Sequence, residues 1–158
     1  MAVQEVITTR LVGYPADTNA RPLVNGLADG DQEAGLVVIR DGNNDLRPPT
    51  SAAELARIVG LSVTRASRAA GGAGGEHYGD NEPLQAMERG TMYVTSETAC
   101  TAGDKCFVRH GVVSTPAGVL GSVRNDVDTA DAVQIEGLVF DETLAATGVV
   151  RVRVNLPA

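Results

Sequence analysis

Apolar and polar residues alternate in short bursts along this chain, and Gly, Asn, Asp and Pro punctuate them. Because successive side chains of a strand point to opposite faces, such bursts predict strands joined by turns. Nine strands are expected, at Val3–Val12, Leu36–Arg40, Ile58–Arg65, Leu84–Glu88, Thr91–Thr95, Lys105–His110, Val119–Arg124, Ala132–Phe140 and Val149–Leu156. In the last, Val150, Val152 and Val154 share one face while Arg151, Arg153 and Asn155 share the other, which marks a half-buried strand. Between Met87 and Val94 the stretch Glu88-Arg89-Gly90-Thr91 separates two alternating runs, so a tight hairpin with Gly90 at positive φ is expected.

Helix signals are sparse. Ser51 followed by Glu54 has the spacing of a capping box, and Ala52, Ala53, Leu55 and Ala56 support a turn or two over Ser51–Arg57. The fold class is therefore all-β in a single domain spanning residues 1–158, with nine short strands that suit a sandwich, roll or barrel, and one short helix. Two connections stand out, the turn-rich Asp41–Pro49 and the Gly-rich loop Ala69–Pro83, which contains Gly71-Gly72-Ala73-Gly74-Gly75. Loops of that length are usually functional or mobile.

Length agrees with one domain, since 158 residues bury enough surface for a core. With no Trp and five aromatics (Tyr14, Tyr78, Tyr93, Phe107 and Phe140), Val, Leu, Ile and Ala must fill it. No run of 18 apolar residues occurs, and Met1-Ala2-Val3-Gln4-Glu5 lacks the basic start and apolar core of a signal peptide, so a soluble chain without membrane contact is expected. The net charge of −7 argues against nucleic acid as a partner. It is uneven: residues 1–70 hold 7 Arg against 8 acids, residues 71–158 hold 6 cations against 12 acids. Cys100 and Cys106 are too few for a disulfide scaffold and do not match zinc-pair spacing; they read as reduced thiols of a protein made inside a cell, with a local disulfide as the alternative.

The search for reactive chemistry yields little. Gly71–Gly75 is not followed by the Gly-Lys-Ser/Thr of a phosphate cradle. Neither His77 nor His110 has a second histidine at metal-binding spacing. Asn125–Asp131 places oxygen ligands at alternate positions but lacks the turn glycine and distal glutamate of a calcium loop, so an Asx-stabilised turn is expected. Asp141 and Glu142 are adjacent and carry no acid/base spacing, and no Gly-x-Ser-x-Gly elbow occurs. The residues thus present no recognisable reactive centre, and no metal or cofactor is expected.

The segments Thr101-Ala102-Gly103-Asp104-Lys105-Cys106-Phe107-Val108-Arg109 and Val119-Leu120-Gly121-Ser122-Val123-Arg124-Asn125-Asp126-Val127-Asp128-Thr129 are followed by strands at Ala132–Phe140 and Val149–Leu156. In this order they resemble the structural cement (capsid decoration) proteins of tailed bacteriophages, as do Met1-Ala2-Val3-Gln4 and the run opened by Gly35. The Gly-rich loop and the Cys100/Cys106 pair depart from that pattern. The resemblance implies a compact β-barrel or jelly-roll-like domain without enzyme activity, and a small homo-oligomer, a dimer or trimer. It also implies attachment to the outer surface of a virion, at contacts between subunits of the major capsid protein, after synthesis in the host cytoplasm. On that reading Arg10, Arg21, Arg40 and Arg65, from the near-neutral half, are the candidate docking charges. Tyr78 is the candidate aromatic anchor of the Gly-rich loop, the alternative being a solvated loop without binding energy. Two other functions compete: a tail or baseplate β-domain, and a small oligomeric β-barrel nucleotide hydrolase, whose Gly-rich substrate loop with adjacent Ser and Tyr-containing Asp motif are missing.

Overall fold

The computed structural model describes residues 12–16, 22–64, 77–112 and 118–157. Twelve strands run through them: β1 Leu23–Leu27, β2 Gln32–Glu33, β3 Val37–Arg40, β4 Leu46–Arg47, β5 Ile58–Ser62, β6 His77–Tyr78, β7 Pro83–Met87, β8 Arg89–Ser96, β9 Lys105–Arg109, β10 Val123–Arg124, β11 Ala132–Phe140 and β12 Gly148–Asn155. They form an open sheet ordered β1-β7-β5-β3-β4, a closed barrel ordered β10-β8-β12-β11-β9 and a ribbon of β2 with β6. The all-β expectation holds, with a barrel as its main body.

The barrel is built on the long antiparallel pairing of β8 with β12, from Gly148 opposite Ser96 to Asn155 opposite Arg89. Alternation decides which side chains enter it. Met92, Val94, Val150, Val152 and Val154 turn inward and are buried, while Arg89, Thr95, Arg153 and Asn155 lie exposed. Each such aliphatic side chain contributes about 1.5–3 kcal/mol on leaving water. The same core takes in Val37, Leu61 and Met87 from the open sheet and Leu55 from the short turn before β5, so one apolar cluster joins barrel and sheet. Where β10 is too short to cover β8, the segment around Pro15 runs antiparallel beside Met92, with Gly13 N–H donating to the Tyr93 carbonyl at 2.8 Å.

The open sheet curls toward closure. Ala28, just past β1, bridges Leu46 of β4, and Asp29 N–H donates to the Leu46 carbonyl at 3.0 Å. Ala28, Ala34, Val38, Leu46, Tyr78, Leu84 and Ala86 fill the inside of the curl. Close strand approach requires glycine at Gly60, where a Cβ would stand 2.4 Å from the Met87 carbonyl oxygen.

Three expectations change. The hairpin at Gly90 is absent: β7 pairs with β1 and β5, whereas β8 pairs with β12 and β10. The chain steps at Glu88 from the sheet into the barrel, and Gly90 does hold positive φ, 132°. Alternation reports half-buried strands without naming their neighbours. The capping box is replaced as well. The Ala52–Arg57 segment is a 3-10 turn without a side-chain cap from Ser51, and the Glu54 carboxylate instead accepts from Thr50 N–H at 2.8 Å. Finally, only Val123–Arg124 of the expected Val119–Arg124 is strand, because Val119 N–H turns to the Glu97 carboxylate at 3.1 Å. The predicted strand at Val3–Val12 lies outside the described residues apart from Val12.

Candidate functional site

At one end of the barrel Glu97, just past β8, meets Arg109 and Arg124, the last residues of β9 and β10, in a charge cluster. Arg109 is 2% exposed, and its Nε stands 2.9 Å from both oxygens of Glu97 while a terminal nitrogen lies 2.7 Å from Oε2. It also donates to Asp128 and to the Gly111 carbonyl, with Asp131 at 3.8 Å. Arg124 bridges Asp126 at 2.6 Å, Asp128 at 2.5 Å and Glu97 at 3.1 Å, and the Ser122 hydroxyl donates to Glu97. Burial opposes ionisation of Glu97, but hydrogen bonds from Arg109 and Ser122, with the Arg109 charge, outweigh it and hold the carboxyl below its usual range.

This cluster fixes the expected turn at Asn125–Asp131 through ion pairs of Asp126 and Asp128. Asp128, Thr129 and Ala130 all take positive φ, 43°, 55° and 80°, a left-handed run unusual for non-glycine residues. Ion pairs from the Asp128 carboxylate to Arg109 and Arg124 hold it, together with Ala132 N–H to the Val127 carbonyl. The preceding Thr101–Asp104 segment is a β-turn closed by Asp104 N–H on the Thr101 carbonyl at 3.0 Å, with Thr101 N–H donating to the Asp104 carboxylate at 2.9 Å. It is pinned to β11 by Gly103 N–H on the Phe140 carbonyl at 2.8 Å. The sequence motifs singled out at 101–109 and 119–129 are therefore the two turns and the ion cluster that lock the barrel.

Of the predicted docking residues, Arg10, Arg21 and Arg65 lie outside the described residues. Arg40 is half-buried and helps close the open sheet, donating to the Asn44 carbonyl at 3.1 Å and, across the curl, to the Asn25 carbonyl at 3.3 Å. Tyr78 is a correction. It sits in β6 at 1% exposure, inside the curled sheet, and its hydroxyl donates to the Val63 carbonyl. A ring this size with its one polar atom satisfied is stable in the interior, so it belongs to the chain's own core and not to a projecting loop. Cys100 and Cys106 are unbonded and buried, and burial pushes both thiols up.

Among the described residues are two shallow grooves that the sequence did not single out. One, of about 490 Å3, has an acidic lip of Asp29, Asp31 and Glu33 beside Val119 and Leu120, with His77 Nε2 3.8 Å from Asp31. The other, of about 550 Å3, lies on the outer face of β8, β11 and β12 between Arg89 and Arg153. Among the described residues no group of three or more His, Cys, Asp or Glu is placed to hold a metal, and no helix is long and apolar enough to cross a membrane.

The described residues thus form a locked barrel backed by a curled sheet, with shallow grooves on its surface. The family of structural cement proteins (E217 gp24/Pam3 gp6) matches residues 3–155, nearly the whole chain, and the protein belongs to it. Its fold is similar to that of a chain in the solved structure of the capsid of Myoviridae Phage XM1, with a TM-score of 0.67, 18% identity and 98% of each chain covered. No curated protein matches.

Proposed function

We propose that this protein is a phage capsid cement: it binds the outer surface of an icosahedral head at contacts between major capsid subunits and holds the shell together. The observation that carries this reading is the family match over residues 3–155. A shell repeats the same seam many times, so a dimer or trimer engaging two or three seams gains through effective concentration even when each contact is weak. Net −7 suits a surface away from packaged DNA, whose phosphates would repel it. The role is mechanical, with no catalytic step.

The test is co-sedimentation of the purified protein with emptied, expanded capsids, with isolated capsid subunits and with tails. Saturable binding to the shells that exceeds binding to free subunits is expected, because a seam exists only where neighbours meet. Equal affinity for shells and free subunits overturns the seam, and binding to tails alone overturns the capsid. Particles stripped of the protein should rupture at lower temperature, since a ligand of the assembled state stabilises it by mass action.

A further inference from the structure

Arg89 and Arg153 differ from the other arginines of the described residues. Arg47, Arg57, Arg109, Arg124 and Arg151 all have carboxylate partners, and Arg40 donates to carbonyls. Neither Arg89 nor Arg153 has a carboxylate within 4.0 Å among the described residues. This occurs in a chain whose 20 acids outnumber its 13 cations. Both are exposed, and both line the same groove.

Register sets their separation. Arg89 pairs with Asn155 and Thr91 with Arg153, so the two arginines are diagonal neighbours on one outward face of β8 and β12. Such neighbours stand about 7–8 Å apart. Side chains at alternate positions of an extended chain project to one side about 6.5–7 Å apart, twice the rise per residue. Beside them the wall is low. Gly90 and Gly137 line the groove, and a Cβ on Gly137 would stand 2.3 Å from the Asn155 carbonyl oxygen. The register of β11 shifts between Gln134 and Val139, around that glycine.

The geometry points to this groove as the seat of an extended segment of the capsid shell protein that carries Asp or Glu at alternate residues, one carboxylate meeting each guanidinium. The inference rests on the proposed capsid role and names the chemistry of one contact. Guanidinium forks bind carboxylates bidentately, and the glycine wall lets the segment's backbone lie close.

The experiment is co-sedimentation with expanded capsids of the wild-type protein and of Arg89→Glu, Arg153→Glu, the double variant and Arg153→Lys. Far-UV circular dichroism and thermal melting confirm the fold of each; both side chains are exposed, so folding should persist. Each reversal should weaken shell binding by on the order of tenfold and the double variant by more, as expected for an interfacial charge pair turned repulsive. Arg153→Lys should fall between, and the double variant should lose part of the salt dependence. Wild-type binding with unchanged affinity in the folded double variant overturns the groove and leaves the capsid role standing. Wild-type protein that fails to bind shells overturns the capsid role and this contact together. Loss of oligomers in the double variant, seen by sedimentation velocity with shell binding per protomer intact, assigns the groove to a second copy and overturns the capsid segment.

Discussion

Arg109 and Glu97 form a forked pair at the end of the barrel, with Arg109 Nε 2.9 Å from each Glu97 oxygen and a second nitrogen 2.7 Å from Oε2. Arg109 is almost wholly enclosed, so its charge is tolerated only because Glu97, Asp128 and the Gly111 carbonyl surround it. Removing one member of such a cluster strands the others. Arg109→Met is expected to cost about 3–5 kcal/mol, read from urea denaturation. Arg151→Met, which breaks a more exposed pair with Asp141, should cost about 1 kcal/mol or less. Similar losses for both variants would mean that the cluster does not hold the barrel.

Stability should fall at acid pH through two carboxyls. The Glu54 carboxyl is lowered from 4.5 to about 2, chiefly by its hydrogen bond from Arg47 and then by Thr50 N–H, and Glu97 is lowered as well. A carboxyl whose folded value lies below its unfolded one stabilises fully above the unfolded value and loses that contribution as pH drops toward the folded one. The melting temperature should therefore decline as pH falls from about 4.5 toward about 2. Glu54→Gln should lower it at neutral pH and flatten part of this slope; an unaltered slope would exclude Glu54 as a contributor.

The left-handed turn at Asp128–Ala130 predicts a gain. Ala130 is exposed and holds φ of 80°, a region in which a Cβ costs about 1–2 kcal/mol. Ala130→Gly should raise stability by about 1 kcal/mol after the entropy of the more flexible unfolded chain is subtracted. Asp128→Gly relieves the same backbone but removes a partner of Arg109 and Arg124, and should destabilise. Thermal melts of the two variants that move in the same direction would break the argument.

Both thiols should be silent in the native protein. Cys100 and Cys106 are buried, and a raised thiol pKa leaves little of the nucleophilic thiolate at neutral pH. An aromatic disulfide reagent should titrate neither cysteine in buffer and both in denaturant. Fast native reaction of either would contradict its placement.

Much of the barrel is legible because its strands carry their instruction locally: the expected Ala132–Phe140 matches in full, and Gly148–Asn155, with Val150, Val152 and Val154 two apart, matches to within a residue. β2, β4 and β6 have two residues each, too few for a period to show. β1, Leu-Val-Asn-Gly-Leu, was hidden by its Asn-Gly pair, which reads as a turn. The motif at 101–129 marked the important region, yet nothing local says that Arg109 and Arg124 are buried, because their partners lie up to 27 residues away. Arg153 was visibly on the outward face of its strand. Its diagonal neighbour Arg89 was not, since that needs the β8–β12 register, and the expected hairpin at Gly90 assigned β8 the wrong companion.

Barrel closure bears on crowding. If hundreds of copies stand side by side on a shell, each meets its neighbours at an effective concentration at which an open strand edge would recruit another backbone and seed a ribbon across the surface. Here β9 and β10 seal the ring, and the Ala28–Leu46 bridge draws together the two rims of the other sheet. With those backbone groups already paired, adjacent copies meet chiefly through side chains. Closure thereby disfavours polymerisation through the barrel.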